Sequence, residues 1–291
     1  MNPRPKNISN FSVVIPTCAR PEVLRLFLER LHPLIQNINR CCYEVIVSDD
    51  RPSESTRAMI VRLDPLIRYI SGPGRGPAAN RNHGASQARG DWLVFLDDDC
   101  VPEPGLLNAY QDRILHGKSS RVLEGRISAL GERTAIDQEA PINERGGVLW
   151  SCNFCIEREL FLRIGGFDEM FTGPAMEDVD LRERLRVLGE AIVFVEQAAV
   201  LHPWRPRRGF SFARMDAEAR CYFYSKHGLQ RQGGWSINFQ RFARGIFKNV
   251  LKEGPRYRFR GAWRYFWLEL HTLLVMAWTP PRRAPKNTAN T

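Results

Sequence analysis

The sequence predicts an α/β fold in which a mostly parallel sheet is sandwiched by helices, followed by a basic helical extension. Short apolar runs rich in β-formers alternate with helical patterns through the first two hundred of the 291 residues. The residues that directly follow these runs are polar or glycine, as expected at the carboxyl ends of parallel strands. The charge then reverses, because residues 1–200 hold 24 Lys and Arg against 28 Asp and Glu, whereas residues 201–291 hold 18 against 4.

The elements follow each other as repeated βα units, which place parallel strands side by side under helices. The predicted strands are FSVVIP (11–16), YEVIVS (43–48), IRYIS (67–71), DWLVFL (91–96), RVLEGRI (121–127) and AIVFVEQ (191–197). The predicted helices are PEVLRLFLERLHPLI (21–35), SESTRAMIVRL (53–63), PAANRNHGASQA (77–88), a short helix that ends near residue 116, EREL-FLRI (157–164) and EDVDLRERLRVLG (177–189). Pro21 at a helix start and Gly165 after a helix end are typical of helix boundaries.

The charge reversal divides the chain into a predicted domain of residues 1–205 and an extension of residues 206–291. The extension interleaves basic and aromatic residues, in SINFQRFARGIFKNVLKE (236–253) and again in the tryptophan-rich run that follows. Two interpretations stay open: helices that pack on the first domain, or helices that lie in an anionic membrane interface. A nucleic-acid partner is not predicted, because no nucleic-acid-binding motif accompanies the charge.

No segment has the apolar length of a transmembrane helix, and MNPRPKNISN lacks the apolar core of a secretory signal. The seven cysteines are odd in number and irregularly spaced, which favours reduced thiols in a cytoplasmic protein. The single CxxC, from Cys152 to Cys155, has no second pair, so a structural zinc site, which needs four ligands, is not expected.

Polar side chains follow four of the predicted strands and should meet at one rim of the sheet. The rim residues are Pro16 and Thr17, Asp49 and Asp50, Gly72 to Gly76 with Arg75, and Asp97, Asp98 and Asp99 in FLDDDC. Adjacent carboxylates at the end of a buried strand indicate a hard divalent cation, Mg²⁺ or Mn²⁺, that takes further ligands from substrate phosphates. A solvated acidic loop is the alternative for the triplet, and a turn or helix cap is the alternative for Asp49.

Two later features extend this site. Glu177 and Asp178 open the helix EDVDLRERL, where a carboxylate facing a cleft can act as a general base, although acidic residues at a helix start also satisfy the helix dipole. His202 follows a strand in LHPW and is either a structural histidine or a third ligand of the metal.

Four segments, in this order and spacing, resemble a family 2 glycosyltransferase with the GT-A fold. They are SVVIPTCARPEVLRLFLERL, YEVIVSDD, GPAANRNHGASQARGDWLVFLDDDC and NFCIERELFLRIGGFDEMFTGPAMEDVDLRERL. The resemblance as a whole covers about residues 11 to 204. The GGFDE…ED part is also similar to the C-terminal motif of galactosyltransferases. The loop DDRPS departs from the family's usual DDGS, and FTGPAM lacks the tryptophan often found before the ED pair.

The resemblance implies a role for each matching residue. It places the metal on Asp97, Asp99 and His202, and the catalytic base on Asp178 with Glu177 toward the acceptor. It assigns the nucleotide sugar to Thr17, Asp50, Arg81 and Asp97. The positions of Pro16, Arg75 and Asp98 at the rim add these residues to the predicted set, although Asp98 has no ligand role of its own. The implied partners are a nucleotide-diphosphate sugar, with a UDP-sugar favoured, and a glycan or lipid-linked acceptor.

The implied activity is metal-dependent inverting sugar transfer in the synthesis of cell-surface polysaccharide or glycoconjugate, on the inner face of the cell membrane. A nucleotidyltransferase uses the same carboxylate-and-metal chemistry and is the enzymatic alternative. An inactive, membrane-associated scaffold of the same fold is the other alternative, although Asp97, Asp99 and Asp178 are all present.

Overall fold

The computed structural model describes residues 10–117, 119–228 and 235–278, and it divides the chain into two compact units. The first unit runs to Leu130 and resumes over Pro141–Pro203, and the second consists of Gly131–Ala140 and the chain from Trp204 onward. Our predicted first domain, residues 1–205, included Gly131–Ala140. The structure groups that segment with the second unit, because the Ile136 N–H donates to the carbonyl of Arg260 and Gln138–Glu139 pairs with Arg205–Pro206.

The described residues form ten strands and ten α-helices. The strands are β1 Phe11–Thr17, β2 Tyr43–Asp49, β3 Arg68–Ser71, β4 Trp92–Leu96, β5 Val101–Pro102, β6 Val122–Leu130, β7 Gln138–Glu139, β8 Asn153–Glu157, β9 Ile192–Pro203 and β10 Arg205–Pro206. The helices are α1 Pro21–Glu29, α2 Pro33–Gln36, α3 Glu54–Leu63, α4 Pro77–Ser86, α5 Leu106–His116, α6 Arg158–Arg163, α7 Glu177–Val187, α8 Phe210–Lys226, α9 Trp235–Gly245 and α10 Ala262–Trp278.

The first unit is built on one eight-stranded sheet, in the order β3-β2-β1-β4-β8-β6-β9-β5. The pairs β3/β2, β2/β1, β1/β4 and β6/β9 are parallel, whereas β4/β8, β8/β6 and β9/β5 are antiparallel. The predicted α/β class with a mixed, mostly parallel sheet and flanking helices is therefore confirmed. The predictions omitted β8, which contains the second cysteine of the CxxC and pairs with β4 near the centre of the sheet. All seven cysteines are free thiols.

Helices pack against the sheet, and the buried apolar side chains between them form two clusters. The sheet contributes alternate residues of each strand, so that Val13 and Ile15 of β1 belong to one cluster and Val14 to the other. Four phenylalanines form the centre of the second cluster, and the rings of Phe95 and Phe154 stack with their centroids 4.9 Å apart. Gly84 lets α4 lie close to β1, since a Cβ there would come within 2.5 Å of Val14.

The single helix predicted over residues 21–35 is wrong, because the structure has two shorter helices there. Helix α1 ends at Glu29, and α2 begins at Pro33. Proline has no N–H to donate to the carbonyl four residues earlier, and its ring collides with that carbonyl, here that of Glu29. Two separate helices result.

In the second unit, helix α10 packs on both α8 and α9. The helix predicted over residues 236–253 is interrupted, because α9 ends at Gly245 and Ile246–Lys252 continues as a π-helical turn. Among the residues described, no helix combines the length and apolarity needed to cross a bilayer.

Candidate active site

The polar strand ends meet as predicted, because β1, β2 and β4 are parallel neighbours. Thr17 at the end of β1 pairs in register with Asp49 at the end of β2, and the Asp50 N–H donates to the carbonyl of Thr17 over 3.0 Å. The acidic triplet begins one residue after β4. Pro16 is buried within β1, so its predicted contact with the nucleotide sugar is not supported by its position.

Asp98 is the innermost residue of the triplet, with no exposed surface. Its carboxylate accepts a hydrogen bond from the Thr17 hydroxyl over 2.6 Å and lies 2.5 Å from a guanidinium nitrogen of Arg20. Burial raises the pKa of Asp98 to about 7, against the opposing effects of Arg20 and Thr17. Asp98 and Thr17 thus tie β1 to the loop after β4, and their role in donor binding stays a prediction.

Arg20 is a member of the site that the sequence analysis missed. Its Nη1 donates to Asp99 Oδ2 over 3.0 Å while its Nη2 faces Asp98, and its side chain is 45% exposed. The guanidinium thus offsets the repulsion between two adjacent carboxylates. A single arginine in the TCARP loop after the first strand was the signal that could have identified it.

Asp99 and His202 form the part of the site that fits a metal ion. Asp99 Oδ1 lies 3.5 Å from His202 Nε2, and both belong, with Cys100, to a group whose ligand atoms lie within 4.8 Å of one another. His202 Nδ1 is 2.9 Å from the carbonyl oxygen of Pro203 and must donate to it, so a neutral ring directs the lone pair of Nε2 toward Asp99. A cation between carboxylate and imidazole satisfies both acceptors, so these residues suit a divalent metal.

Asp97 is engaged differently from Asp99. Arg81, whose side chain is 3% exposed, donates from Nη2 to Asp97 Oδ1 over 2.7 Å and from Nη1 to Glu177 Oε1 over 3.2 Å. Burial opposes the charge of Arg81, but attraction to Asp97 and Glu177 raises its pKa above the usual value. The arginine predicted to bind the nucleotide therefore joins the acidic triplet to the start of α7.

Glu177 and Asp178 occupy the first turn of α7, and both are buried. Met176 before them has a left-handed backbone, with φ of 70°, a conformation that non-glycine residues adopt only where the surroundings enforce it. Burial raises the pKa of both carboxyls, and the charge of Arg81 partly opposes the rise. The predicted contact of Glu177 with an acceptor is not supported, since its carboxylate faces Arg81.

Two backbone amides act on the Asp178 carboxylate. The Val179 N–H donates to Asp178 Oδ1 over 2.8 Å, and the backbone N–H of Ser151 lies close to the same carboxylate. Both interactions favour the charged form and so lower the pKa. A carboxylate whose pKa is raised by burial, and whose orientation is set by amides, is suited to accept a proton from a substrate hydroxyl.

Asp50 and Arg75 are at the rim but are occupied by the protein itself. The two oxygens of Asp50 accept the N–H groups of Gly74, over 3.0 Å, and Gly76, over 3.2 Å. Arg75 pairs with Glu169 over 2.9 Å. Asp49 accepts from the Arg51 N–H, as in an Asx-type turn, and from the Tyr69 hydroxyl.

Comparisons with known proteins identify the family and the fold. The model of the family described as "Glycosyl transferase family 2" matches residues 12–159, and that of "Glycosyltransferase like family 2" matches residues 148–212. The GalNAc(5)-diNAcBac-PP-undecaprenol beta-1,3-glucosyltransferase of Campylobacter jejuni is 27% identical over 176 residues, 56% of this chain and 56% of that protein. The pre-mycofactocin glycosyltransferase of Mycobacterium tuberculosis is 31% identical over 213 residues, 67% of this chain and 43% of that protein.

The chain spans about half the length of the curated relatives it matches. Among solved structures, the mannosyltransferase PcManGT from Pyrobaculum calidifontis, in complex with GDP-Man and Mn²⁺, superimposes with a TM-score of 0.59 and 15% identity. That likeness covers 94% of this chain and 87% of the other, and it confirms the GT-A fold. The galactosyltransferase-like motif stays a prediction. With a family model that matches half of its length, the chain belongs to glycosyl transferase family 2.

Proposed function

We propose that this protein transfers a sugar from a nucleotide-diphosphate sugar to a hydroxyl group and inverts the anomeric configuration. The observation that carries the proposal is the position of Asp178, which is buried at the start of α7 and linked through Glu177 and Arg81 to the acidic triplet. Its carboxylate takes the proton of the acceptor hydroxyl, the oxygen attacks the anomeric carbon, and the nucleoside diphosphate departs from the opposite face. One bond forms as the other breaks, so no covalent intermediate with the protein is needed.

A divalent ion, Mg²⁺ or Mn²⁺, completes the proposed site. Asp99 and His202 would hold it, because their carboxylate and imidazole atoms face each other across 3.5 Å and suit a divalent cation between them. When bound, such an ion supplies Lewis-acid stabilisation of the departing diphosphate. Asp97, which we predicted as a second carboxylate ligand, has a different proposed role: with Glu177 it holds Arg81 in place beside the site.

The donor and acceptor are proposed from the relatives. Solved neighbours carry GDP-Man with Mn²⁺ and UDP with Mn²⁺, which supports a nucleotide-diphosphate sugar, and we favour a UDP-sugar. The name of the Campylobacter jejuni relative contains a diphosphate-linked undecaprenol, which supports a glycan or lipid-linked acceptor in cell-surface glycoconjugate synthesis.

A panel of nucleotide sugars, assayed by release of nucleoside diphosphate with Mn²⁺ present, tests this proposal. We expect release from one or a few donors, and faster release when a hydroxyl-bearing acceptor is added. No nucleoside diphosphate from any donor, together with release of inorganic pyrophosphate from a nucleoside triphosphate and a sugar 1-phosphate, would indicate the nucleotidyltransferase alternative. Binding without turnover would indicate the inactive scaffold.

The rate should depend on pH through Asp178. Because burial raises the pKa of this carboxyl, kcat/KM should fall with decreasing pH at a higher pH than for an ordinary aspartate, whose pKa is about 3.9. Above that range the base is charged and the rate levels off. The measurement is a pH profile of kcat/KM with saturating Mn²⁺, with circular dichroism at each pH to show that the fold persists. A constant rate down to about pH 4 would contradict this assignment.

We also propose that the second unit lies on an anionic membrane surface, at the inner face of the cell membrane. Ring contacts of 5.5 to 6.3 Å connect Phe239, Phe242, Phe266, Trp267 and Trp263 into one aromatic strip across α9 and α10. Three of these side chains are among the exposed large hydrophobic residues, with Trp263 at 74%. Residues 235–278 also carry eight Lys and Arg against two Glu. Exposed aromatic residues with surrounding cations are typical of interfacial helices.

Replacing Trp263 and Trp267 together with serine should weaken binding of the full chain to phosphatidylglycerol vesicles by about tenfold, which corresponds to roughly 1.4 kcal/mol. Co-sedimentation measures it. The matched control is Leu34→Ser, which removes an exposed apolar side chain, 86% accessible, from the other unit. Two outcomes would contradict the membrane proposal. One is that the wild-type chain sediments equally with neutral phosphatidylcholine and with phosphatidylglycerol vesicles, and the other is that the double substitution has no effect.

A further inference from the structure

Glu124 is a buried carboxylate for which the proposed mechanism gives no role. It lies in β6 with 2% of its surface exposed, and four N–H groups point at its two oxygens. The donors are the backbone amides of Gly147, Val148 (3.2 Å) and Leu149 (2.8 Å), and the Asn143 side-chain amide (3.1 Å). Three consecutive backbone amides directed at one carboxylate mean that Glu124 determines the path of the segment 143–151.

The backbone of this segment is in conformations that need such support. Gly146 and Gly147 have φ of 79° and 96°, and Leu149, although buried and branched at Cγ, has φ of 47°. A non-glycine residue keeps a left-handed conformation only where its surroundings enforce it. Gly146 also has to be glycine beside the carboxylate, because a Cβ there would come within 2.9 Å of Glu124 Oε1.

The same segment contacts α7 on its other side. Arg182, one helical turn after Asp178, donates from Nη1 to the carbonyl oxygens of Gly147, over 2.9 Å, and Val148, over 3.3 Å. Glu124 therefore binds the amide groups of these residues from β6, while Arg182 binds their carbonyl groups from α7. Two residues after Leu149, the backbone N–H of Ser151 lies close enough to the Asp178 carboxylate to favour its charged form.

We propose that Glu124 is a positioning residue for Asp178, because it holds the segment 143–151 in the conformation that directs the Ser151 amide at the Asp178 carboxylate. The inference rests on the proposed function, in which Asp178 is the base. Glu124 itself contacts neither substrate nor the reacting atoms. Its effect passes through the amides of Gly147, Val148 and Leu149 to Ser151, and from there to the orientation of the base.

The test is Glu124→Gln, which keeps the size of the side chain but turns one acceptor oxygen into an NH₂ group that faces backbone N–H donors. We expect kcat to fall about 10- to 100-fold, the effect of a small misplacement of a reacting group. The dissociation constant of UDP with Mn²⁺ should change less than twofold in the same protein. Glu124→Asp, which keeps the charge, should recover part of the loss.

The pH dependence of kcat/KM distinguishes a positioning role from a purely structural role, which would leave it unchanged. The charged groups that face Asp178 are Arg81 from α4 and Glu177 beside it, and both remain in the variant. Loss of the Ser151 amide removes an interaction that favours the charged carboxylate, so the acid limb of kcat/KM should shift to higher pH in Glu124→Gln. Arg182→Gln releases the same segment from α7 and should shift the acid limb of kcat/KM in the same direction. This variant tests the inference even if Glu124→Gln does not fold.

The matched control is Arg186→Gln, which removes an exposed arginine of α7 that pairs with Glu183 and leaves the segment untouched. It should retain the wild-type kcat and pH profile. Folded Glu124→Gln with wild-type kcat and pH limb overturns the inference, and so does a loss of activity fully explained by weaker UDP binding. Asp178→Asn, assayed in parallel, distinguishes failure of the inference about Glu124 from failure of the proposed function. Substantial turnover in Asp178→Asn rejects the proposed function itself.

Discussion

Replacing Asp178 with asparagine is expected to lower kcat for sugar transfer by about 1,000-fold, within the range that general-base catalysis contributes. Asparagine has nearly the same shape but cannot take the proton of the acceptor hydroxyl. Binding of UDP and Mn²⁺ should be nearly unchanged in this variant. Asp178 contacts the amides of Ser151 and Val179, whereas Arg81 separates it from the acidic triplet. The two measurements are turnover on a competent donor and titration calorimetry with UDP.

A suitable control for this substitution is Asp112→Asn, which makes the same chemical change at an exposed position of α5. It should leave both turnover and UDP binding at the wild-type level. If Asp178→Asn keeps a substantial part of the wild-type turnover, Asp178 is not the base. If it loses UDP binding in proportion to turnover, the residue acts in binding instead of proton transfer.

Loss of the divalent metal ion is expected to have the second large effect on sugar transfer. Removing divalent ions with EDTA should abolish transfer, and adding Mn²⁺ should restore it, because no cation would then offset the charge of the departing diphosphate. Asp99→Asn should weaken Mn²⁺ binding at least about 10- to 100-fold, the effect that losing even a supporting partner of a metal ligand can have. His202→Ala should act in the same direction, since its Nε2 lies 3.5 Å from Asp99 Oδ1.

Asp97→Asn distinguishes the two carboxylates. Asp97 accepts from Arg81, so its substitution should reduce turnover by releasing that arginine and should change Mn²⁺ affinity much less than Asp99→Asn does. Electron paramagnetic resonance of free Mn²⁺, with UDP present, measures the affinities. Equal losses of Mn²⁺ affinity in the two variants would make Asp97 a ligand, and full transfer by the EDTA-treated protein would contradict metal dependence.

Local patterns in the sequence were enough to predict the sheet and its polar rim. Runs of apolar residues identified β1, β2, β3 and β4, and the parallel order followed from the helices between them, so the meeting of Thr17, Asp49 and the acidic triplet could be expected. The antiparallel strand β8 was missed because SCNFC is short and resembles a metal-binding pair more than a strand. The break between α1 and α2 was visible in Pro33 but was outweighed by the helical spacing of the leucines around it.

The side-chain contacts within the site could not be predicted in this way. Motif resemblance paired Asp97 and Asp99 as metal ligands, whereas the packing gives the three carboxylates different partners: Asp98 is buried against Thr17, Asp97 is bound by Arg81, and Asp99 faces His202. Adjacent residues after a strand point in different directions, so three neighbouring carboxylates reach three different surroundings.

The sequence by itself determined the fold class, the family resemblance and the identity of the residues available for chemistry. Only the tertiary structure decided which of them meet, as Arg20 meets Asp99 across 79 residues and Arg81 meets Glu177 across 96. It also revealed the amide contacts of Glu124, which carries no motif. The physical reason is that secondary structure follows from neighbours in the chain, whereas ion pairs, burial and amide contacts depend on distances that exist only once the sheet and its helices are packed.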